Sequence, residues 1–318
     1  MPPLNRASFR RLTWLFLALV PGVGAQPAPL VFPASPPLQA LVDRAAQTAL
    51  DKFADQKLVA NQLAITLVDL REPARPVRGS FRGEVQIYPA SVIKLCYLAA
   101  AHRWLEDGRL TDTPELRRAL RDMIVDSSND ATHYVIDLLT GTTSGPELSE
   151  GEIKIWFEKR SAVTRYFATL GYTGVIANKK PWGDGPYGRE SQAIRLFEPK
   201  RNMLTTDATA RLLAEMASGR CVTAARSAEM RQLLARDLAT TDADPDNQAK
   251  FTGPVLPPGA KLWSKAGWTS QTRHDATYIE LPNGAKLVLV VFTTEHANER
   301  EIIRLVARSI VDGMTAAK

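Results

Sequence analysis

Apolar residues recur every three or four positions over residues 38–53, which predicts an amphipathic helix. Two strand-like runs follow. Residues 63–70 are dense in Ala, Ile, Leu and Val, and residues 75–88 alternate loosely around a glycine-containing turn. Strand patterning then stops. From Ser91 to about Asp237 the sequence reads as successive helices, interrupted by one long irregular stretch over residues 174–203. A loop of that length in a compact domain is usually functional or disordered, and Trp182 and Tyr187 favour an ordered one. Strands return near the end, at residues 261–269, 276–281 and 286–294. The last two are joined at Pro282-Asn283-Gly284, a strong hairpin signal. A final amphipathic helix is expected over residues 297–316. This order predicts a sheet contributed by both ends of the chain, with a helical block inserted between its second and third strands and a cleft where the two parts meet.

At the N-terminus, Arg6, Arg10 and Arg11 precede an apolar run (12–20) and a small-residue stretch (22–25), the pattern of a secretory signal peptide over residues 1–25. The run falls short of the roughly 20 apolar residues that span a bilayer. A Pro-rich linker (26–37) then leads into one domain over 38–318. Removing the leader takes away three Arg and no acid, so the net charge of +6 becomes +3. That mild, scattered charge gives no footprint for nucleic acid and no polybasic membrane patch. The expected protein is a periplasmic or secreted monomer, with no membrane association after cleavage. Cys96 and Cys221 are expected as two buried thiols, although an oxidising compartment would let them pair if the fold brought them within reach.

Three short motifs carry candidate chemistry. Ser91-Val92-Ile93-Lys94 opens a segment that is apolar on nearly every side, so the helix is buried. A spacing of three places the Ser hydroxyl and the Lys amine on one face. Burial disfavours the ammonium form, and a neutral amine can accept the Ser proton. The helix start also offers free N–H groups for an oxyanion. Ser127-Ser128-Asn129 falls between two helical stretches, where a turn and N-cap is the plain reading. The functional one has Ser127 relaying a proton to the leaving group and Asn129 holding a substrate carbonyl. Lys265-Ala266-Gly267 lies on a strand candidate. Lys265 would face an anionic group, Gly267 would let a substrate backbone approach, and the N–H of Trp268 would complete the oxyanion hole. Each motif alone is weak; each occurs once, and they come in the order this chemistry needs.

The set resembles the S-x-x-K, S-x-N and K-[ST]-G signature of class A β-lactamases and penicillin-binding serine hydrolases. The resemblance extends over about residues 61–310, including Met123-Ile124, Leu204-Thr205-Thr206 and the closing strand and helix. It implies an α/β fold of two subdomains. An antiparallel five-stranded sheet flanked by terminal helices (38–89 plus 255–318) would carry an inserted all-helical part (90–254). It also implies a β-lactam amide opened through an acyl-enzyme on Ser91, with no cofactor. Three departures stand out. Ser127 follows Ser91 by 36 residues, a shortened interval. Ala266 replaces the usual hydroxyl residue, a hydrogen bond to a charged group worth roughly 1.5–3 kcal/mol. Thr269, Ser270 or Arg273 would stand in for it, Arg273 as a bidentate carboxylate clamp. The loop acid that activates the deacylating water has no clean counterpart. Glu190 is the best-placed candidate and Glu198 the second, and an enzyme without that base would stay acylated. An insertion around residues 144–160 has no assigned role. The four histidines fit neither a Ser-His-Asp template nor metal-ligand spacing, so no metal is implied. Two alternatives remain open: a DD-peptidase or penicillin-binding-type amidase acting on peptidoglycan peptides, and a non-catalytic module that binds a β-lactam or cell-wall peptide.

Overall fold

The N-terminal periodicity becomes helix α1 (Pro36–Lys52), which buries Leu38, Leu41, Val42, Ala45, Ala46 and Ala49. Strand β1 (Leu63–Asp69) is buried at every position, because both faces of the sheet are covered. Ala64 and Val68 enter one apolar cluster, and Leu63, Ile65 and Leu67 the other. After β2 (Val77–Phe81) the chain leaves the sheet through a 3-10 turn, Ala90–Ile93, that runs directly into α2 (Lys94–Glu106). This computed structural model describes residues 29–182 and 185–316. The expected leader and the first residues of the expected linker lie outside the described residues. The end of that linker is not free chain: Ser35 N donates to Arg78 O and Arg78 N to Pro33 O, at 2.8 and 3.0 Å, which ties it to β2.

Helix α2 is the axis of the helical part. Eleven of its 13 residues are buried, Lys94 among them, which is why its sequence shows no polar face. Around it lie α3 (Pro114–Ile124), α4 (Asn129–Thr140), α5 (Glu150–Arg160) and α6 (Ala162–Thr169). Then come α7 (Gly188–Leu196), α8 (Thr206–Ala217), which packs on the sheet, and α9 (Ala224–Leu234). The chain re-enters the sheet as β3 (Ala235–Arg236), β4 (Lys261–Trp268), β5 (Thr272–Glu280) and β6 (Lys286–Thr294). It ends in α10 (Glu301–Ala316), which packs with α1 on the outer face.

The sheet order is β2-β1-β6-β5-β4-β3, with every neighbouring pair antiparallel. The expected architecture holds, with three differences. A sixth strand is present: β3 pairs with β4 through only Ala235↔Trp263 and Arg236↔Leu262, too short to register as a sequence pattern. Strand β5 begins at Thr272 rather than 276, because Thr272, Arg273, His274 and Asp275 are buried polar residues that hide the alternation. The stretch expected to be irregular contains α7, whose buried positions include Glu190 and Gln192 and so give no apolar stripe. Cys96 and Cys221 are buried free thiols. Among the described residues no helix is long and apolar enough to cross a membrane.

Candidate active site

The three motifs converge where the start of α2 meets the α3–α4 junction and the far end of β4. Ser91 stands in the 3-10 turn behind Ala90, whose φ of +46° is a left-handed conformation that a side chain disfavours. Ser127 has the same kind of strain, at φ +56°. Two non-glycine residues in that region, one beside the first motif and one within the second, are what a geometry held against local preference produces.

Lys94 is fully buried. Its Nζ donates to Ser127 O (2.5 Å), Ser127 Oγ (3.2 Å) and Asn129 Oδ1 (2.9 Å), so the amine bridges the first motif to the second. Burial lowers its pKa to about 7. Capping and chemistry divide the second motif between them. Ser128 Oγ caps α4 by accepting from Ala131 N at 3.1 Å, while Ser127 and Asn129 on either side turn to Lys94.

Lys265, also fully buried, reaches the same hydroxyl: Nζ lies 2.9 Å from Ser127 Oγ, 2.9 Å from Gln248 Oε1 and 2.7 Å from Ala266 O. Burial first, then the charges of Lys94 and Arg236, push its pKa well below the usual lysine range; Asp275 opposes them. Two amines on one hydroxyl titrate as a pair, a proton on Lys94 disfavouring one on Lys265.

Gly267 has a different reason from the one expected. A Cβ there would lie 2.7 Å from Pro89 O, 2.8 Å from Ser91 N and 2.9 Å from Val92 N. Its missing side chain lets β4 pack against the turn that carries Ser91, rather than making room for a substrate. The next residue faces the cleft edge. Thr269 N bonds to Thr272 O, so by the two-residue alternation of an antiparallel pair Trp268 N points away from β5, as Ala266 N does where it meets Gln248 Oε1 at 3.0 Å. Strand β3 covers that edge only at Leu262 and Trp263. Ala266 itself packs in the cluster under α1 and α10, so its methyl belongs to the core. Beside this edge lies a cavity of about 500 Å³ lined by Ser127, Arg236, Gln248 and Trp268 together with acidic loop residues.

Two expected site residues are engaged elsewhere. Arg273 is 4% exposed and pairs through Nη2 with Asp246 at 2.6 Å, so it is not the free carboxylate clamp the sequence suggested. The buried guanidinium beside Ser127 is instead that of Arg236, which sequence reading missed. This guanidinium is held by Ser264 O (2.6 Å) and Ser264 Oγ (3.2 Å) and lines the cavity with Ser127. Burial lowers its pKa only to about 10, so it remains a cation. Glu190 is 3% exposed, and its Oε1 meets Arg160 Nη2 (2.8 Å), Ser144 Oγ (2.9 Å) and Lys180 Nζ (3.8 Å). None of these partners belongs to the three motifs; the acid expected to activate water is locked into an ion pair by the inserted helix α5. Glu198 has a 74% exposed side chain and pairs with Lys200 at 3.1 Å. Asn202, four residues on, is buried. Its Oδ1 accepts from Asn178 N and Lys179 N, and its Nδ2 donates to Lys179 O, which also accepts from Tyr97 OH on α2. The loop is thereby laced to α2 one turn beyond Lys94. Among the described residues no group of three or more His, Cys, Asp or Glu is arranged to hold a metal ion.

Fold and site together define a serine hydrolase of the class A β-lactamase type. The model of the β-lactamase enzyme family matches residues 111–314, more than half of the chain, and the chain belongs to that family. Solved structures share its fold at low identity. PBP-A is 18% identical, with 89% of this chain and 98% of that chain covered and a TM-score of 0.61. A β-lactamase from Sphaerobacter thermophilus is 18% identical over 88% and 98%, with a TM-score of 0.62. A variant of PBP-A solved as an acyl-enzyme complex with penicillin G is 17% identical over 88% and 98%, also at 0.62. No curated protein matches the sequence.

Proposed function

We propose that the protein opens the amide of a β-lactam through an acyl-enzyme on Ser91. Neutral Lys94 accepts the Ser91 proton as the hydroxyl oxygen attacks the carbonyl carbon. The N–H groups of Ser91 and Trp268 receive the oxyanion, and Ser127 Oγ delivers its proton to the leaving nitrogen as the C–N bond breaks, taking a replacement from the Lys94 ammonium just formed. Lys265 and Arg236 hold the substrate carboxylate, and the Asn129 amide orients the side-chain carbonyl. The observation that carries this reading is Lys94: a fully buried amine with a pKa of about 7, hydrogen-bonded to Ser127 and Asn129. The compartment in which it would meet such a substrate is the periplasm or the exterior, on the strength of residues 1–25.

A second reading shares the acylation and differs in the fate of the acyl group. Glu190 is held by Arg160, and Glu198 is exposed beside Lys200. Both positions favour slow hydrolysis of the ester, as suits a peptidase or penicillin-binding protein acting on peptidoglycan peptides. Intact mass after brief exposure to benzylpenicillin separates the readings: a transient adduct means hydrolysis, a persistent one the peptidase type. No adduct, with Ser91→Ala leaving ligand affinity unchanged, would favour a binding module without catalysis.

A further inference from the structure

Gln248 belongs to none of the three motifs and sits 6% exposed on a 3-10 turn, Gln248–Lys250, below the acidic loop. Its Nε2 donates to Ile124 O (2.9 Å) and Val125 O (2.8 Å) at the end of α3. Two carbonyl acceptors on one side fix the amide's orientation, so Oε1 must face the other way. There it accepts from Lys265 Nζ (2.9 Å) and Ala266 N (3.0 Å). Both donors and both acceptor sites of one buried amide are therefore used, and each end lies beside the chemistry. Val125 is two residues before Ser127, and Ala266 is the middle of the third motif.

We propose that Gln248 is a positioning residue that ties the turn carrying Ser127 to the strand carrying Lys265, and so sets the contact between Ser127 Oγ and Lys265 Nζ. This rests on the catalytic reading of those two residues. A second consequence concerns charge. Lys265 faces Lys94 from α2, Arg236 from β3 and Asp275 from β5. Arg236 is always charged, Lys94 adds its repulsion whenever it carries a proton, and one carboxylate opposes them, so a neutral oxygen at 2.9 Å is an important support for the ammonium. Without it Lys265 drifts to the free amine, and both the charged donor that orients Ser127 Oγ and the cation for a carboxylate are lost.

The test uses Gln248→Met, similar in length and without either amide function, and Gln248→Glu. Acylation of Ser91 by a fluorescent penicillin is followed across pH, and the Lys265 titration is followed by NMR of lysines labelled at Cε, assigned by its loss in Lys265→Arg. In Gln248→Met the expected results are at least tenfold slower acylation, an alkaline limb moved to lower pH, and a proton affinity of Lys265 about tenfold weaker. Gln248→Glu keeps an acceptor for Lys265 but sets a carboxylate against two carbonyls of α3. There the rate falls while the alkaline limb moves to higher pH. A Gln248→Met protein that melts earlier yet keeps the wild-type rate and the wild-type Lys265 titration overturns the inference. If the wild-type protein is not acylated at all, the catalytic reading fails. The titration then decides alone: a weakened Lys265 sustains the tie, and an unchanged one removes it.

Discussion

Lys94 combines complete burial with hydrogen bonds to groups that carry no charge, so no carboxylate offsets the cost of burying its ammonium form. Because it accepts a proton only when neutral, the acylation rate should rise as pH climbs through about 7 and fall again on an alkaline limb where Lys265 loses its proton, read with a penicillin under single-turnover conditions. Lys94→Arg keeps a permanent charge and should lower that rate by roughly 10²–10⁴-fold. Lys94, Ser127 and Lys265 were legible in the sequence because their reasons are local: a helical spacing of three, a helix junction, and a strand. Arg236 and Gln248 were not. They reach the site from either side of an Asp-rich loop, and nothing in their own neighbourhood marks them. Glu190 misled for the opposite reason: its loop was visible, but the guanidinium that claims it comes from α5, 30 residues earlier in the chain.

Among the elements, the contact between β4 and the turn bearing Ser91 leaves no room for a side chain at Gly267. Gly267→Ala should push that turn aside by several tenths of an ångström, since a Cβ would sit within 3.0 Å of three backbone atoms. Misplacing a nucleophile on that scale is expected to slow acylation at least tenfold, measured by adduct formation over time. Helix α5 braces α7 through Arg160 and Glu190. Removing the guanidinium in Arg160→Met leaves a buried carboxylate poorly paired and should cost about 3–5 kcal/mol in urea unfolding. Glu190→Gln, by contrast, should leave the acylation rate within about twofold, because Glu190 touches none of the three motifs. Most helices and the strands β1, β4 and β6 were readable from their apolar runs. The first half of β5 and all of α7 were not, because they bury polar groups such as His274, Asp275 and Glu190, which an apolar pattern cannot flag.

For the molecule as a whole, buried ionisable groups set where it is most stable. Lys94 and Lys179, lowered by burial to about 7 and about 8, stay neutral in the fold where the unfolded chain still takes up protons, so stability rises as pH climbs above 7. The Cys96 and Cys221 thiols are pushed up by burial, so above their ordinary value of 9.0 the unfolded chain ionises first and stability falls. On the acid side, His102 and His274, both near 4, destabilise the fold as pH drops from 6.5, and Asp275, raised to about 6, offsets one of them. The melting temperature should therefore peak near pH 9 and decline towards pH 5, checked by calorimetry. The sheet has a consequence of another kind. Strand β1 finds its partner in β6, with Leu63 opposite Thr293, so the first strand to be synthesised waits for the last. A nascent chain holds Ser91 and Ser127 without Lys265 or the edge of β4, and a product truncated before β4 ends has no partial site to offer. Activity should appear only when the last strands have arrived and the two ends of the chain have closed on each other.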